Sequence, residues 1–195
     1  MFTLKDVRKE YDRLDKLCGV DTRCVELVES KKGVYRFGSC KATRDSKTKA
    51  LKSVKIRIST LILQCGDEHT FFDIIRHEYA HAVAVLRDPA NRHGHDSFWK
   101  AICREIGCAP ERIHQGSTPE MRDAQERKAK YIATCTGCGN QYFSYRAGRF
   151  INVLKAGTPH SFSCNKCRCR DFSLVAREGD KLVEYPAKRL KTGGV

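Results

Sequence analysis

Thr70-Phe71-Phe72-Asp73-Ile74-Ile75-Arg76-His77-Glu78-Tyr79-Ala80-His81-Ala82-Val83-Ala84-Val85-Leu86 is the stretch on which the reading of this chain turns. Its apolar residues recur at helical spacing, and the run stops ahead of Asp88-Pro89, where helical backbone is disfavoured. The pattern predicts a long helix that starts near Thr70, with Asp73 three residues on in the manner of a capping box, and ends at Leu86. Within it His77 and His81 are four residues apart, so both imidazoles share a face and can reach one metal ion. Glu78 lies one position round, close to the ion without occupying the same coordination direction. A site of this kind needs a third protein ligand and keeps one position for water. Asn91-Arg92-His93-Gly94-His95-Asp96 follows the helix and offers two more histidines on a tight turn, His93 and His95. Four of the seven histidines therefore fall between residues 77 and 95, a concentration that argues against two incidental surface imidazoles. Two imidazoles and a third ligand would hold zinc, and the adjacent carboxylate would take a proton from water, as in a metallopeptidase.

Outward from this stretch the elements are short. Leu4, Val7, Tyr11, Leu14 and Leu17 make residues 4–17 an amphipathic helix. Cys24–Val28, Val34–Phe37 and Val54–Ile58 have strand character, the last alternating as Val-Lys-Ile-Arg-Ile with a basic outer face. Lys41–Lys52 is a polar hairpin region. Asp96 is a good N-cap for a further helix running to about Ile106, with Gly107 as its stop. Residues 109–128 are polar and punctuated by Pro110, Gly116 and Pro119, which reads as a linker.

Beyond Lys130 the texture changes to aromatics, glycines and paired cysteines. Cys135-Thr136-Gly137-Cys138 and Cys164-Asn165-Lys166-Cys167 form two CxxC knuckles, which together suit a closed tetrahedral structural zinc site. The 25 residues between Cys138 and Cys164 leave room for a long hairpin. Cys169 keeps a second register open, with Cys169 in place of Cys167. The other six of the 11 cysteines are scattered among apolar residues and read as core.

The chain has 195 residues and a formal charge of +14. No apolar run approaches a membrane span, and the first residues lack the basic-then-apolar pattern of a secretory leader. An intracellular, reducing location and a monomer follow as expectations. Residues 1–120 carry 22 basic and 17 acidic side chains, residues 121–195 carry 15 and 6. The smaller module is thus the more basic per residue. There Tyr142, Tyr145, Arg146 and Arg149 interleave aromatic faces with cations, a composition suited to single-stranded or distorted DNA. Lys47, Lys49 and Lys52 form a second basic edge before the histidine helix.

The order HExxH, loop, Gly94-His95, then a helix bearing Trp99 four residues after His95, resembles the SprT-like zinc metalloproteases. The resemblance favours His95 over His93 as third ligand, although Asp96 stands where the family has glycine. Arg112-Ile113-His114-Gln115 also resembles a downstream element of bacterial members. What the resemblance implies is peptide-bond hydrolysis, in some members of proteins crosslinked to DNA. The oxyanion donor is left open among His114, Arg112, Tyr79 and Tyr131.

The expected architecture is α+β: a minimal zincin-like metalloprotease domain over residues 1–115, a linker at 116–130, a four-cysteine zinc ribbon at 131–180 and a basic tail at 181–195. The expected cofactors are one catalytic and one structural Zn²⁺, and the expected partners are DNA and the proteins bound to it. Glu78 is the catalytic residue; His77, His81 and His95 hold the catalytic metal; Cys135, Cys138, Cys164 and Cys167 hold the structural one. Two rival readings stand beside this one. The first is a zinc-ribbon nucleic-acid adaptor with a non-catalytic histidine site, and the second is a zinc hydrolase acting on a non-peptide substrate.

Overall fold

Thr3 starts the first helix for a local electrostatic reason. Its hydroxyl accepts from the Asp6 amide, and the Asp6 carboxylate accepts from the Thr3 amide, so two orphan donors are satisfied reciprocally. The helix that follows, α1 (Leu4–Cys18), buries Val7, Tyr11, Leu14 and Cys18 and stops at Gly19, whose φ of 62° is left-handed. A computed structural model describes residues 1–31, 36–110, 118–158, 161–179 and 181–185. They form two compact units, Met1–Arg122 and Asp123 onward.

In the first unit a mixed sheet has the order β1-β3-β2. β1 (Glu26–Ser30) runs parallel to β3 (Leu51–Ser59), and β2 (Gly38–Arg44) runs antiparallel to it, leaving β2 at the edge. Val54, Ile56 and Ile58 of β3 are buried, while Lys55 and Arg57 between them face outward. The first strand lies two residues later than Cys24–Val28. Val34 and Tyr35 of the second expected strand lie outside the described residues, and pairing begins instead at Gly38. The hairpin expected over 41–52 is the β2–β3 connection, with Asp45 accepting from the Lys47 and Thr48 amides at its tip.

A short helix not foreseen from the sequence, α2 (Thr60–Cys65), follows β3, capped by Ser59. The long helix α3 spans Glu68–Arg87, starting two residues before the expected position. Asp67 is its cap: the carboxylate accepts from the Thr70 amide at 2.8 Å and from the Thr70 hydroxyl at 2.9 Å. Thr70 is therefore the residue capped, not the cap, because an ionised carboxylate at the positive helix end outcompetes a hydroxyl. α4 (Ser97–Glu105) begins after Asp96 and ends with Gly107 at φ 66°, both as the sequence predicts.

α1 is tied to α3 through buried polar groups. The Glu10 carboxylate accepts from Arg13 and, across 66 residues, from Arg76 at 2.7 Å. Burial opposes its charge, but the two guanidiniums outweigh that and hold it below the usual carboxylate range. Tyr11 donates to the Ile75 carbonyl and Tyr79 to Asp15, both at 2.9 Å.

Residues 119–128, expected as linker, are helical: α5 (Pro119–Lys128). Pro119 occupies the first helical position, where its missing N–H costs nothing, and the Thr118 hydroxyl accepts from the Met121 amide. Met121 is fully buried with the core of the first unit.

The second unit is an antiparallel sheet of order β5-β4-β6-β7. β4 is Tyr131–Cys135, β5 Gln141–Ser144, β6 Phe172–Glu178 and β7 Lys181–Tyr185. The ribbon thus continues to 185, into what reads as tail; residues 186–195 lie outside the described residues. The segment between the knuckles is not a long hairpin. It contains α6 (Arg149–Ala156), whose Ile151 packs on Tyr131, Ala133, Leu174 and Ala176.

The observed class is α+β, with six α-helices and two sheets among the described residues. No helix among them is long and apolar enough to cross a membrane. Replacing Glu10 by Gln should cost about 1–2 kcal/mol, since it leaves Arg76 half-buried without its carboxylate. Urea denaturation of the whole chain measures that loss.

Candidate active site

His77 and His81 project from one face of α3 because they are four residues apart, and His95 is brought to them by the turn ahead of α4. The Nε2 atoms of His95 and His77 lie 3.1 Å apart, and those of His81 and His95 3.2 Å apart. His95 Nε2 cannot hydrogen-bond to both neighbours, since in a neutral ring that one atom offers either a single N–H or a single lone pair. A cation reconciles them: tetrahedral ligation at about 2.0–2.1 Å requires nitrogens about 3.3–3.4 Å apart. Burial, followed by the neighbouring charges of His77 and His95, pulls the His81 imidazole down to about 3. It is therefore neutral, as a ligand must be.

Trp99 forms the floor. Fully buried, its ring sits 4.8, 5.1 and 4.6 Å from the rings of His77, His81 and His95. Asp96 fixes its position by accepting from the Trp99 amide at 3.0 Å. The Asp that departs from the family's glycine is therefore the cap that seats the tryptophan.

His93 takes no part in the cluster. Its two ring nitrogens lie 2.9 Å from Asp96 and 3.0 Å from Asp88. Partial burial works against its cation, but the two carboxylates prevail and raise it above the usual histidine value. The structure thus brings together His77, His81 and His95 and sets His93 apart as a brace of the turn.

Glu78 is buried, 7% exposed. Burial pushes its carboxyl up to about 8, against the opposing influence of Arg36 and the Cys40 N–H. A group titrating near neutrality can both accept and return a proton. Gly38 of β2 makes this placement possible: a Cβ there would stand 2.6 Å from Glu78 Cγ and 2.7 Å from Oε1. Sequence reading missed Gly38 and Cys40. The available signal was a glycine opening a strand, which marks a close approach by another group.

Of the open oxyanion candidates, Tyr79 is committed to Asp15 and Tyr131 is a core residue of the second unit. Arg112 and His114 lie outside the described residues.

The second donor set is Cys135, Cys138, Cys164 and Cys167, with Cys135 and Cys167 sulfurs 3.5 Å apart and Cys138 and Cys164 sulfurs 3.6 Å apart. The knuckles match one another. Gly139 donates to the Cys135 carbonyl and Arg168 to the Cys164 carbonyl, each at 2.9 Å and each with a left-handed φ. Tyr142, donating to Cys164 Sγ at 3.2 Å, draws that thiol down to about 6, toward the thiolate a metal binds. Cys169 stands outside this set. It packs on Gly137, where a Cβ would meet its own at 2.9 Å, and its sulfur accepts from the Asp171 amide. Both the three-histidine and the four-cysteine groups suit zinc.

Among the residues expected to meet nucleic acid, Tyr142 is otherwise engaged. Its hydroxyl serves Cys164 and Asn165, and its ring packs on Phe150 and Phe172. Tyr142 is thus partly buried and packed into the ribbon core. Tyr145 is 63% exposed, and Arg146 and Arg149 are exposed. In the first unit Lys47 is exposed, but Lys52 pairs with Asp45 at 2.8 Å and Lys49 donates to the Ser46 carbonyl.

A model of the SprT-like family matches residues 5–122, more than half of the chain and all of the histidine cluster. The chain belongs to the SprT-like family. SprT-like domains are generally metallopeptidase-like, and in this one the matched region ends inside α5, before the four cysteines. No curated protein matches the chain.

Two measurements test the geometry without assuming an activity. Gly38→Ala should cost about 1–3 kcal/mol by crowding Glu78, and that cost should vanish in a Glu78→Ala background, read as a double-mutant cycle in urea. Elemental analysis should find two zinc ions per chain in the wild type and in Cys169→Ser, but one in Cys167→Ser.

Proposed function

We propose that the chain is a zincin-like zinc endopeptidase that acts on proteins bound or crosslinked to DNA. The observation that carries the proteolytic part is the convergence of three imidazoles on one point, with the carboxyl of Glu78, the residue after His77, buried against the glycine of an edge strand. His77, His81 and His95 would hold the metal, which when bound polarises a carbonyl and makes water more acidic. Glu78 accepts the proton of the attacking water and returns it to the departing amine, a double duty that its raised affinity for protons supports. Trp99 keeps the imidazoles fixed and closes the base of the site to solvent.

The substrate path is supported by the sheet. β2 is an edge, and the Cys40 N–H, turned toward Glu78, is not spent on β3. Two residues on, the backbone groups of Ala42 face the same way. An extended peptide adding to this edge would lie across Glu78. Such a linear groove favours a polypeptide over a small molecule.

The DNA part is supported by the +14 charge and by the exposed Tyr145, Arg146 and Arg149 of the second unit. A stacking aromatic between cations suits unpaired bases and their phosphates. The intracellular location remains an expectation that follows from this role.

Cleavage of a DNA-bound protein by wild type and Glu78→Gln, with and without single-stranded DNA, tests the proposal. Glu78→Gln should keep both metals and lose at least about a hundredfold in rate. Affinity for single-stranded DNA should fall roughly tenfold or more between low and moderate salt. An intact wild type that never cleaves would favour the adaptor reading instead.

A further inference from the structure

A cavity of about 660 Å³ lies against the C-terminal half of α3, between it, the β2 edge and the turn after α3. Val85 forms part of its wall and stands four residues after His81, on the same helical face. The cavity therefore begins about 6 Å along the helix from the imidazole cluster. Cys40 joins the two places. Its backbone N–H donates to Glu78, its thiol feels the Glu78 charge, and it lines the cavity. A peptide extended along β2 advances about 6–7 Å in two residues. Its second or third side chain from the bond at Glu78 would thus arrive at this cavity.

The lining is of two kinds. Ala42, Val85 and Ala90 give an aliphatic wall, while Lys41, Arg44, Lys49 and Arg92 contribute four cations. Asp45 is the one carboxylate among the described lining residues, and it is already neutralised by Lys52 and by the amides of its own turn. The Arg44 guanidinium is spent on the Pro89 and Asn91 carbonyls, which pins the turn to the hairpin and keeps the cavity formed. Lys41 and Arg92 have no ion-pair partner among the described residues, and both are exposed.

Resting on the protease reading, we propose that this cavity is a specificity pocket for an acidic side chain, glutamate above all, two or three residues from the scissile bond. A methylene stem suits the aliphatic wall and a carboxylate tip suits the unpaired cations. A nucleic-acid backbone fits less well, because a phosphodiester carries no apolar stem and lies over open basic surface rather than in a cavity beside the reacting bond.

The test uses peptides identical except for Glu, Gln or Lys at those positions on either side of the cleaved bond. Wild type should favour Glu over Gln about fivefold in kcat/KM, on one side only, with Lys poorest. Inactive Glu78→Gln should bind the Glu peptide more tightly than the Gln peptide by a similar factor, read by fluorescence anisotropy. Arg92→Glu and Lys41→Glu should each bring that ratio to one or invert it, with folding and zinc content checked independently. Cleavage without any Glu preference overturns the inference and leaves the protease reading intact; no cleavage of any peptide or protein overturns that reading itself. If the two reversals weaken single-stranded DNA binding while the Glu-to-Gln ratio stays unchanged, the cavity is a phosphate site and the inference is wrong.

Discussion

Everything near the centre depends on three imidazoles being held edge and face against one buried indole. Trp99 touches His77, His81 and His95 at once, and its backbone N–H is held by the helix cap Asp96. Asp96 caps α4 and so fixes Trp99, while its carboxylate and that of Asp88 hold His93 out of the cluster. One short turn therefore sets both which histidine joins the cluster and which braces the turn. The helix carrying the other two ligands is fixed independently, by the buried contacts of Tyr79 and Arg76 with α1.

Against that rigid group the opposite wall is a strand edge, and its glycine decides how close Glu78 comes. A carboxyl buried this far resists ionisation, and without a partner it would be a liability. Here the Arg36 guanidinium and the Cys40 N–H offset part of that cost. The four-cysteine unit has a different logic. Its sheet is small, its core is shared with α6, and the paired knuckles take over where apolar burial runs short.

The parts legible in the sequence were those encoded by short-range spacing. His77 and His81 on one helical face, the paired CxxC knuckles, the Asp96 cap and the Gly107 stop all depend on residues within a turn of each other. What escaped depends on contacts across the chain. Nothing near Gly38 announces that it touches Glu78, and nothing near Tyr142 announces that its hydroxyl serves Cys164. α5 was hidden because Pro119 and a polar composition look like a linker, whereas proline at the first position is compatible with a helix. α2 and α6 were too short and too apolar to separate from strand by periodicity. The choice between His93 and His95 could not be made from the residues alone, since it rests on two carboxylates that the turn folds back.

Anomalous X-ray diffraction at the zinc edge, on crystals of the zinc-loaded chain, tests the central claim most directly. The account predicts a peak bonded to His77, His81 and His95 at about 2.0–2.1 Å, with Trp99 beneath it and the Glu78 carboxyl outside the coordination sphere. A peak ligated by His93, or by Glu78 in place of an imidazole, or no peak at all at the cluster, would contradict it.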